Sequence, residues 1–143
     1  MKTYLLDVNV LIALAWPAHV HHGQCQSWFA ARKRHGFATC PLTQTGFVRI
    51  SSNPNFTPAA VSPREAMELL DRIMALPKHC FWPDDSPLRD AIGPEQLLIG
   101  HRQITDAYLV GLARKNGGRL ATLDRGVRIL APKEDDLVEL IQG

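Results

Sequence analysis

The sequence predicts an α/β protein: a parallel sheet with helices on both faces. Short apolar strand segments alternate with helical segments along the whole chain, the order that builds strand–helix–strand crossovers. The strand segments are too short and too apolar to keep one face in water, which argues against a one-sided antiparallel sheet. A third observation locates a crevice. Asp7 lies between Tyr4-Leu5-Leu6 and Val8-Asn9-Val10-Leu11-Ile12, and a carboxylate there needs a partner because an unpaired buried charge is very costly.

Residues 3–7 read as a buried strand and 8–15 as a short helix stopped near Trp16-Pro17. Residues 20–34 read as a helix with apolar or small positions at Val20, Cys25, Trp28, Phe29 and Ala31. The run Arg32-Lys33-Arg34 would close it, where cations suit the helix dipole, and Gly36 would break it. Phe37-Ala38-Thr39-Cys40 reads as a second strand, with Pro41 opening a helix to about Ile50. Residues 51–63 form a loop rich in Ser, Asn and Pro. Ser62-Pro63-Arg64-Glu65 is a helix start, with a Ser cap, Pro at the first helical position and Glu closing a capping box. That helix runs through Met67, Leu69-Leu70 and Ile73-Met74 and stops before Pro77.

Cys80-Phe81-Trp82 is the third strand. Residues 83–104 are the least regular stretch, with room for a short helix. Thr105 is expected to cap a helix over 106–115, ended by Asn116-Gly117-Gly118, residues that tolerate the left-handed conformation. Residues 119–124 form the fourth strand and 137–141 a last edge strand. No repeat, low-complexity tract or linker interrupts the 143 residues, so one domain over 1–143 is expected.

Composition narrows the function. The chain is 45% hydrophobic and 21% charged, enough for a real core. No apolar run approaches the roughly 20 residues that span a bilayer, and Lys2-Thr3 followed by a run broken at Asp7 and Asn9 is no signal peptide. A cytoplasmic protein is expected, without a membrane partner. Cys25, Cys40 and Cys80 are odd in number and widely spaced, which suits buried free thiols better than disulfides or structural zinc. A net charge of +2 is too mild to establish nucleic-acid binding. Arg114, Lys115, Arg119, Arg125 and Arg128 crowd the last third, and as a bare charge pattern they read as solvated helix ends.

The chemistry lies in the acids. Asp106 follows Thr105 at the head of an apolar helix, and Asp124 ends the run Leu120-Ala121-Thr122-Leu123. In open α/β sheets the C-terminal strand ends and the helix starts above them share one crevice. Each acid has a structural reading: Asp7 as a helix cap, Asp106 as a favourable first-turn charge, Asp124 as the start of a turn. Together they point to a divalent cation, since three carboxylates meeting in a crevice repel one another. Mg²⁺ takes oxygen ligands and keeps several waters; it can activate a water and neutralise phosphodiester charge.

Four segments in order carry a resemblance: Tyr4-Leu5-Leu6-Asp7-Val8-Asn9-Val10-Leu11-Ile12, Pro41-Leu42-Thr43-Gln44-Thr45-Gly46-Phe47-Val48-Arg49-Ile50, Ile104-Thr105-Asp106-Ala107-Tyr108-Leu109, and Ala121-Thr122-Leu123-Asp124-Arg125-Gly126. Over nearly its whole length the chain resembles PIN-domain ribonucleases, and more narrowly the VapC toxins of bacterial type II toxin–antitoxin pairs. The resemblance implies a three-layer α/β/α fold around a central parallel sheet and Mg²⁺- or Mn²⁺-dependent RNA cleavage. It also implies a homodimer, a cognate VapB-like antitoxin and a structured RNA such as tRNA as substrate. By position, Asp7, Asp106 and Asp124 match members of the family's acidic cluster, as both catalytic residues and metal ligands. Asn9 matches the polar residue after the first acid, and Thr122 a small polar residue near the last.

One departure stands out. The family usually carries a Glu on the helix after the second strand, and here that slot falls on Gly46, or on Gln44 in a shifted register. Neither carries charge, so weaker metal binding and one cation rather than two are expected. Gln44 or Thr43 is left to orient a water or phosphate. Arg49 either binds RNA phosphate or pairs with a carboxylate.

Other groups read as structural or partner-facing. His19, His21 and His22 with Cys25 fit no common zinc spacing and suit the surface or an antitoxin contact. Asp84-Asp85, between Pro83 and Ser86-Pro87, suit a turn. Trp16, Trp28, Phe29 and Trp82 suit core or interface. Two rival functions remain: an RNA-binding translation inhibitor with little turnover, motivated by the missing Glu, and a phosphotransfer domain, disfavoured by the absence of a Lys beside Asp124 and by Asn rather than Asp at position 9.

Overall fold

A computed structural model describes residues 2–94, 98, 100–134 and 136–142. Five strands, β1 (Thr3–Leu6), β2 (Gly36–Thr39), β3 (His79–Phe81), β4 (Arg119–Thr122) and β5 (Val138–Leu140), form one sheet in the order β3-β2-β1-β4-β5. All four pairings are parallel. The helices are α1 (Val8–Ala15), α2 (His22–Ala31), α3 (Pro41–Ser51), α4 (Pro63–Met74), α5 (Leu88–Ala91) and α6 (Ile104–Lys115), joined by 3₁₀ turns at His101–Gln103 and Arg125–Leu130. No helix is long and apolar enough to cross a membrane among the described residues.

Strand pleating divides the core. Leu5 joins one buried cluster with Tyr108, Leu109, Leu112 and Leu120. Tyr4 and Leu6, pointing the other way, join Val10, Leu11, Trp28 and Phe47, as alternation along a strand requires. The sheet is therefore the middle of three layers, as the sequence predicted. Full burial of side chains such as Leu5 and Leu6 contributes about 1.5–3 kcal/mol each.

From β1 the chain moves outward through β2 to β3 on one side; β4 and β5 lie on the other. The strand order thus reverses between β1 and β4, and a crevice opens above their C-terminal ends. Asp7 and Asp124 stand at that junction.

Several boundaries depart from the sequence reading. α2 begins at His22 and ends at Ala31, leaving Val20 exposed and Arg32-Lys33-Arg34 in the turn beyond. Arg32 does not serve the helix end through charge alone: its guanidinium stacks 4.7 Å from the Trp28 ring and pairs with Glu139 at 2.7 Å. Gly36 opens β2 rather than breaking a helix, pairing with Thr3. Thr105 caps nothing, because α6 starts one residue earlier, directly from the 3₁₀ turn. Of the irregular stretch 83–104, residues 95–97 and 99 lie outside the described residues, and α5 supplies the short helix. Cys25 and Cys40 are buried, but Cys80 is exposed, because β3 is an edge strand with outward positions open among the described residues.

The start of α4 follows its sequence signature. Ser62 accepts the Glu65 N–H at 3.1 Å, and Glu65 reaches back to Ser62, a cap worth about 1 kcal/mol. Gly117 ends α6 with φ +67°, a conformation in which a side chain would be strained.

Candidate active site

Asp7 leaves β1 and caps α1. Its N–H still bonds Ala121 O across to β4 at 3.1 Å, while Oδ1 accepts the Val8 N–H at 2.8 Å. Oδ2 accepts the Thr122 hydroxyl at 2.9 Å. Asp7 is only 8% exposed. Burial pushes its carboxyl above the usual aspartate range; the Thr122 and Val8 hydrogen bonds oppose that shift, and the Asp124 charge adds to it.

Thr122, the fully buried last residue of β4, also accepts the Asp124 N–H at 3.1 Å on the same hydroxyl oxygen. Asp124 in turn caps the 3₁₀ turn, its Oδ1 accepting the Gly126 N–H at 2.8 Å. It sits beyond the strand, not within it, because β4 ends at Thr122.

Asp106 occupies the first turn of α6. Its carboxyl is pushed up to about 6, first by burial and then by the charges of Asp7 and Asp124. Asp106 thus lies near enough to Asp7 and Asp124 for their charges to act on its carboxyl.

No group of three His, Cys, Asp or Glu side chains among the described residues is drawn tightly enough to hold a metal ion unaided. The donor set nevertheless fits a hard cation that keeps part of its water shell: every donor is a carboxylate oxygen, and Asp7 and Asp106 are raised first by burial and then by neighbouring carboxylate charge, both of which a bound cation would offset.

The supporting residues divide. Asn9 is exposed on α1, two residues beyond Asp7, and its side chain makes no hydrogen bond with any described residue. Thr43 is not available to a ligand: it is fully buried, and its hydroxyl accepts the Cys40 N–H at 3.0 Å and donates to Cys40 O at 3.1 Å. Gln44 turns its amide to Thr39 Oγ1 at 3.0 Å and Met74 Sδ at 3.2 Å, not to the acids. Gly46 lies where α3 meets α1, and a Cβ there would stand 2.7 Å from Val8 Cγ2. Of the two candidate positions for a helix acid, the one at Gly46 has its side-chain space taken by Val8. Arg49 is exposed in the last turn of α3 and pairs with no carboxylate among the described residues.

Asp84 plays a structural part its turn-rich neighbourhood only hinted at. Its two oxygens accept the Leu42 N–H and the Tyr108 hydroxyl, each at 2.9 Å, tying α3 to α6. Asp85 pairs with Lys115. The histidines are held locally, His22 against Ala13 O at 2.7 Å and His21 against Gln24 at 3.2 Å, and they form no metal site.

No protein-family model matches the chain. Among curated proteins, it is 49% identical over 127 residues to ribonuclease VapC38 of Mycobacterium tuberculosis, covering 89% of each. It is 43% identical over 139 residues to ribonuclease VapC29 of the same organism, covering 97% of this chain and 96% of that one. Among solved structures, VapBC2 of Rickettsia felis, bound to a DNA fragment from its promoter, superimposes with a TM-score of 0.64 at 12% identity, over 98% of this chain and 99% of that one. M. tuberculosis VapC20, described as a sarcin-ricin loop cleaving toxin, gives 0.61 at 13% identity, over 91% and 95%. At those identities the structures share the fold alone.

Proposed function

This chain belongs to the VapC ribonucleases, and from that premise we propose that it is the toxin of a type II toxin–antitoxin pair, a metal-dependent endoribonuclease folded as a single PIN domain over residues 1–143. The observation that supports the reading best is the Asp7–Thr122–Asp124 chain of hydrogen bonds at the β1–β4 junction, with Asp106 close enough for the charges of Asp7 and Asp124 to act on it.

Asp7, Asp106 and Asp124 are the residues that would hold Mg²⁺, with Mn²⁺ as an alternative. When bound, the cation would supply an activated water and would neutralise charge on the phosphodiester. The residues supply the geometry. Both oxygens of Asp7 are engaged by the protein, so its carboxylate keeps one orientation. Asp124 is fixed by its own turn, and Asn9 is free to hydrogen-bond a phosphate oxygen or water. A water attacks phosphorus in line and the 3′ oxygen leaves, giving a 5′-phosphate and a 3′-hydroxyl. With three acids rather than four, a single cation is the expected complement.

The substrate is a structured cytoplasmic RNA, with tRNA or a ribosomal RNA loop the first to try, since single-stranded loops present readable bases. The partners are a VapB-like antitoxin and a second copy of the chain. The test is cleavage of total RNA by purified protein with Mg²⁺ or Mn²⁺ against EDTA, with an Asp7→Asn control free of contaminating nuclease. Discrete, metal-dependent cuts absent from the control are expected. Cuts retained in the control overturn the mechanism, and inhibition of translation without cuts under any metal favours binding alone.

A further inference from the structure

The 3₁₀ segment Arg125–Leu130 is long for its type. Six residues run in a helix that seldom exceeds three or four. With three residues per turn, positions three apart eclipse, and the burial follows that rule. Val127 and Leu130 turn into the core, at 1% and 3% exposure. Arg125 and Arg128, also three apart, are both exposed. Neither makes an ion pair or hydrogen bond through its side chain with any described residue, although Arg125 directly follows Asp124 and Arg119, Arg114 and Arg32 all find carboxylates.

The backbone under this pair is firmly held. Asp124 caps the segment through Gly126 N–H, and its own N–H rests on Thr122, which holds Asp7. The two guanidinium groups therefore spring from a frame bonded directly to the acidic crevice. One 3₁₀ turn advances about 6 Å, comparable to the step between neighbouring phosphates on one RNA strand. Arginine suits that ligand, because its planar fork binds phosphate bidentately and stays charged.

We propose that Arg125 and Arg128 form a phosphate-binding ridge that holds two successive phosphates of the RNA strand beside the scissile bond. The inference rests on the ribonuclease reading and adds residues that position substrate rather than perform chemistry. The acids repel a polyanion, and the ridge offsets that repulsion at the crevice edge. It also gives a role to two arginines that follow Asp124 in the chain and pair with no carboxylate among the described residues.

The test is fluorescence anisotropy of a labelled single-stranded RNA 12-mer with the full chain in EDTA, across a salt series. Arg125→Gln/Arg128→Gln is compared with the parent, with Arg125→Lys/Arg128→Lys and with Arg64→Gln, an exposed arginine on α4. Each lost phosphate contact should flatten the log–log salt slope by about 0.7. Between 50 and 200 mM salt, the double Gln variant should therefore lose about sevenfold less affinity than the parent. The Lys pair should keep most of the slope and Arg64→Gln all of it. In cleavage, KM should rise with kcat unchanged.

An unchanged slope in the double Gln variant, or an equal change in Arg64→Gln, overturns the ridge while leaving the nuclease reading intact. A parent chain that neither binds nor cuts RNA overturns both.

Discussion

Thr122 gives its hydroxyl proton to Asp7 Oδ2 at 2.9 Å, and Thr122 Oγ1 itself accepts the Asp124 N–H at 3.1 Å. One buried hydroxyl thus couples the first and last acids of the crevice across two strands. Thr122→Val keeps the shape but leaves Asp7 a buried acceptor short, at a cost of about 1–3 kcal/mol. Mn²⁺ affinity, followed by electron paramagnetic resonance, should fall about 10–100-fold, as when the group orienting a metal ligand is lost. Thr122→Ser should restore it. Equal affinity in Val and Ser variants would reduce Thr122 to a packing residue.

Asp106 makes the metal-free protein weaker at neutral pH than in mild acid. Its carboxyl is raised from an ordinary 3.8 to about 6 by burial and by Asp7 and Asp124, and Asp7 shifts the same way. Between those values the folded state binds more protons than the unfolded state. Stability is therefore fully present below about pH 4 with respect to this group and is lost as pH rises through about 6. The Asp106 contribution is about 1–2 kcal/mol once its partial exposure is allowed for. Urea titrations in EDTA at pH 5 and pH 7.5 should show the drop, and Asp106→Asn should shrink it by raising stability at pH 7.5. A variant with the parent's full pH dependence would place the repulsion elsewhere.

Divalent cation should reverse that loss. A ligand at 100 times its Kd stabilises the folded state by about 2.7 kcal/mol. Mg²⁺ or Mn²⁺ should therefore raise Tm at pH 7.5, and Asp7→Asn should abolish most of the rise. Stabilisation that survives Asp7→Asn would mean that the cation binds outside the crevice.

What the sequence conveyed follows from which forces act locally. Asp7 was legible because a charge inside an apolar run is physically anomalous, and Ser62 and Glu65 because a capping box is a short-range device. The strand ends were overrun. Leu123 prolongs an apolar run past Thr122, yet that run turns into a 3₁₀ helix whose three-residue period falls between the strand and α-helix patterns. Thr43 was misjudged for a related reason. A hydroxyl near a helix start suits a ligand as well as a cap, and only the fold revealed that Cys40 takes it. The partner of Asp7 at Thr122 lies 115 residues away, a separation that no local pattern reports; the resemblance placed Thr122 only near the last acid, and the fold showed that it bonds the first.

At Gly46, packing between α3 and α1 leaves no room for a side chain. A Cβ at 46 would lie 2.7 Å from Val8 Cγ2 and 3.3 Å from Cγ1, and both methyls belong to a β-branched side chain with little rotamer freedom. Gly46→Ala therefore forces α3 away from α1, beside Asp7. The helix-propensity gain from replacing glycine, at most about 1 kcal/mol, should lose to overpacking of about 1–3 kcal/mol. Val8→Ala removes the obstructing methyls, so the double variant should recover most of that loss, a coupling of at least about 1 kcal/mol in a double-mutant cycle. Gly46→Glu should destabilise the chain further when made alone. With Val8→Ala it should fold and bind Mn²⁺ more tightly than the parent, because the added carboxylate then has space at the crevice. Additive stabilities in the cycle, read by urea denaturation, would show that α3 and α1 do not compete for this volume.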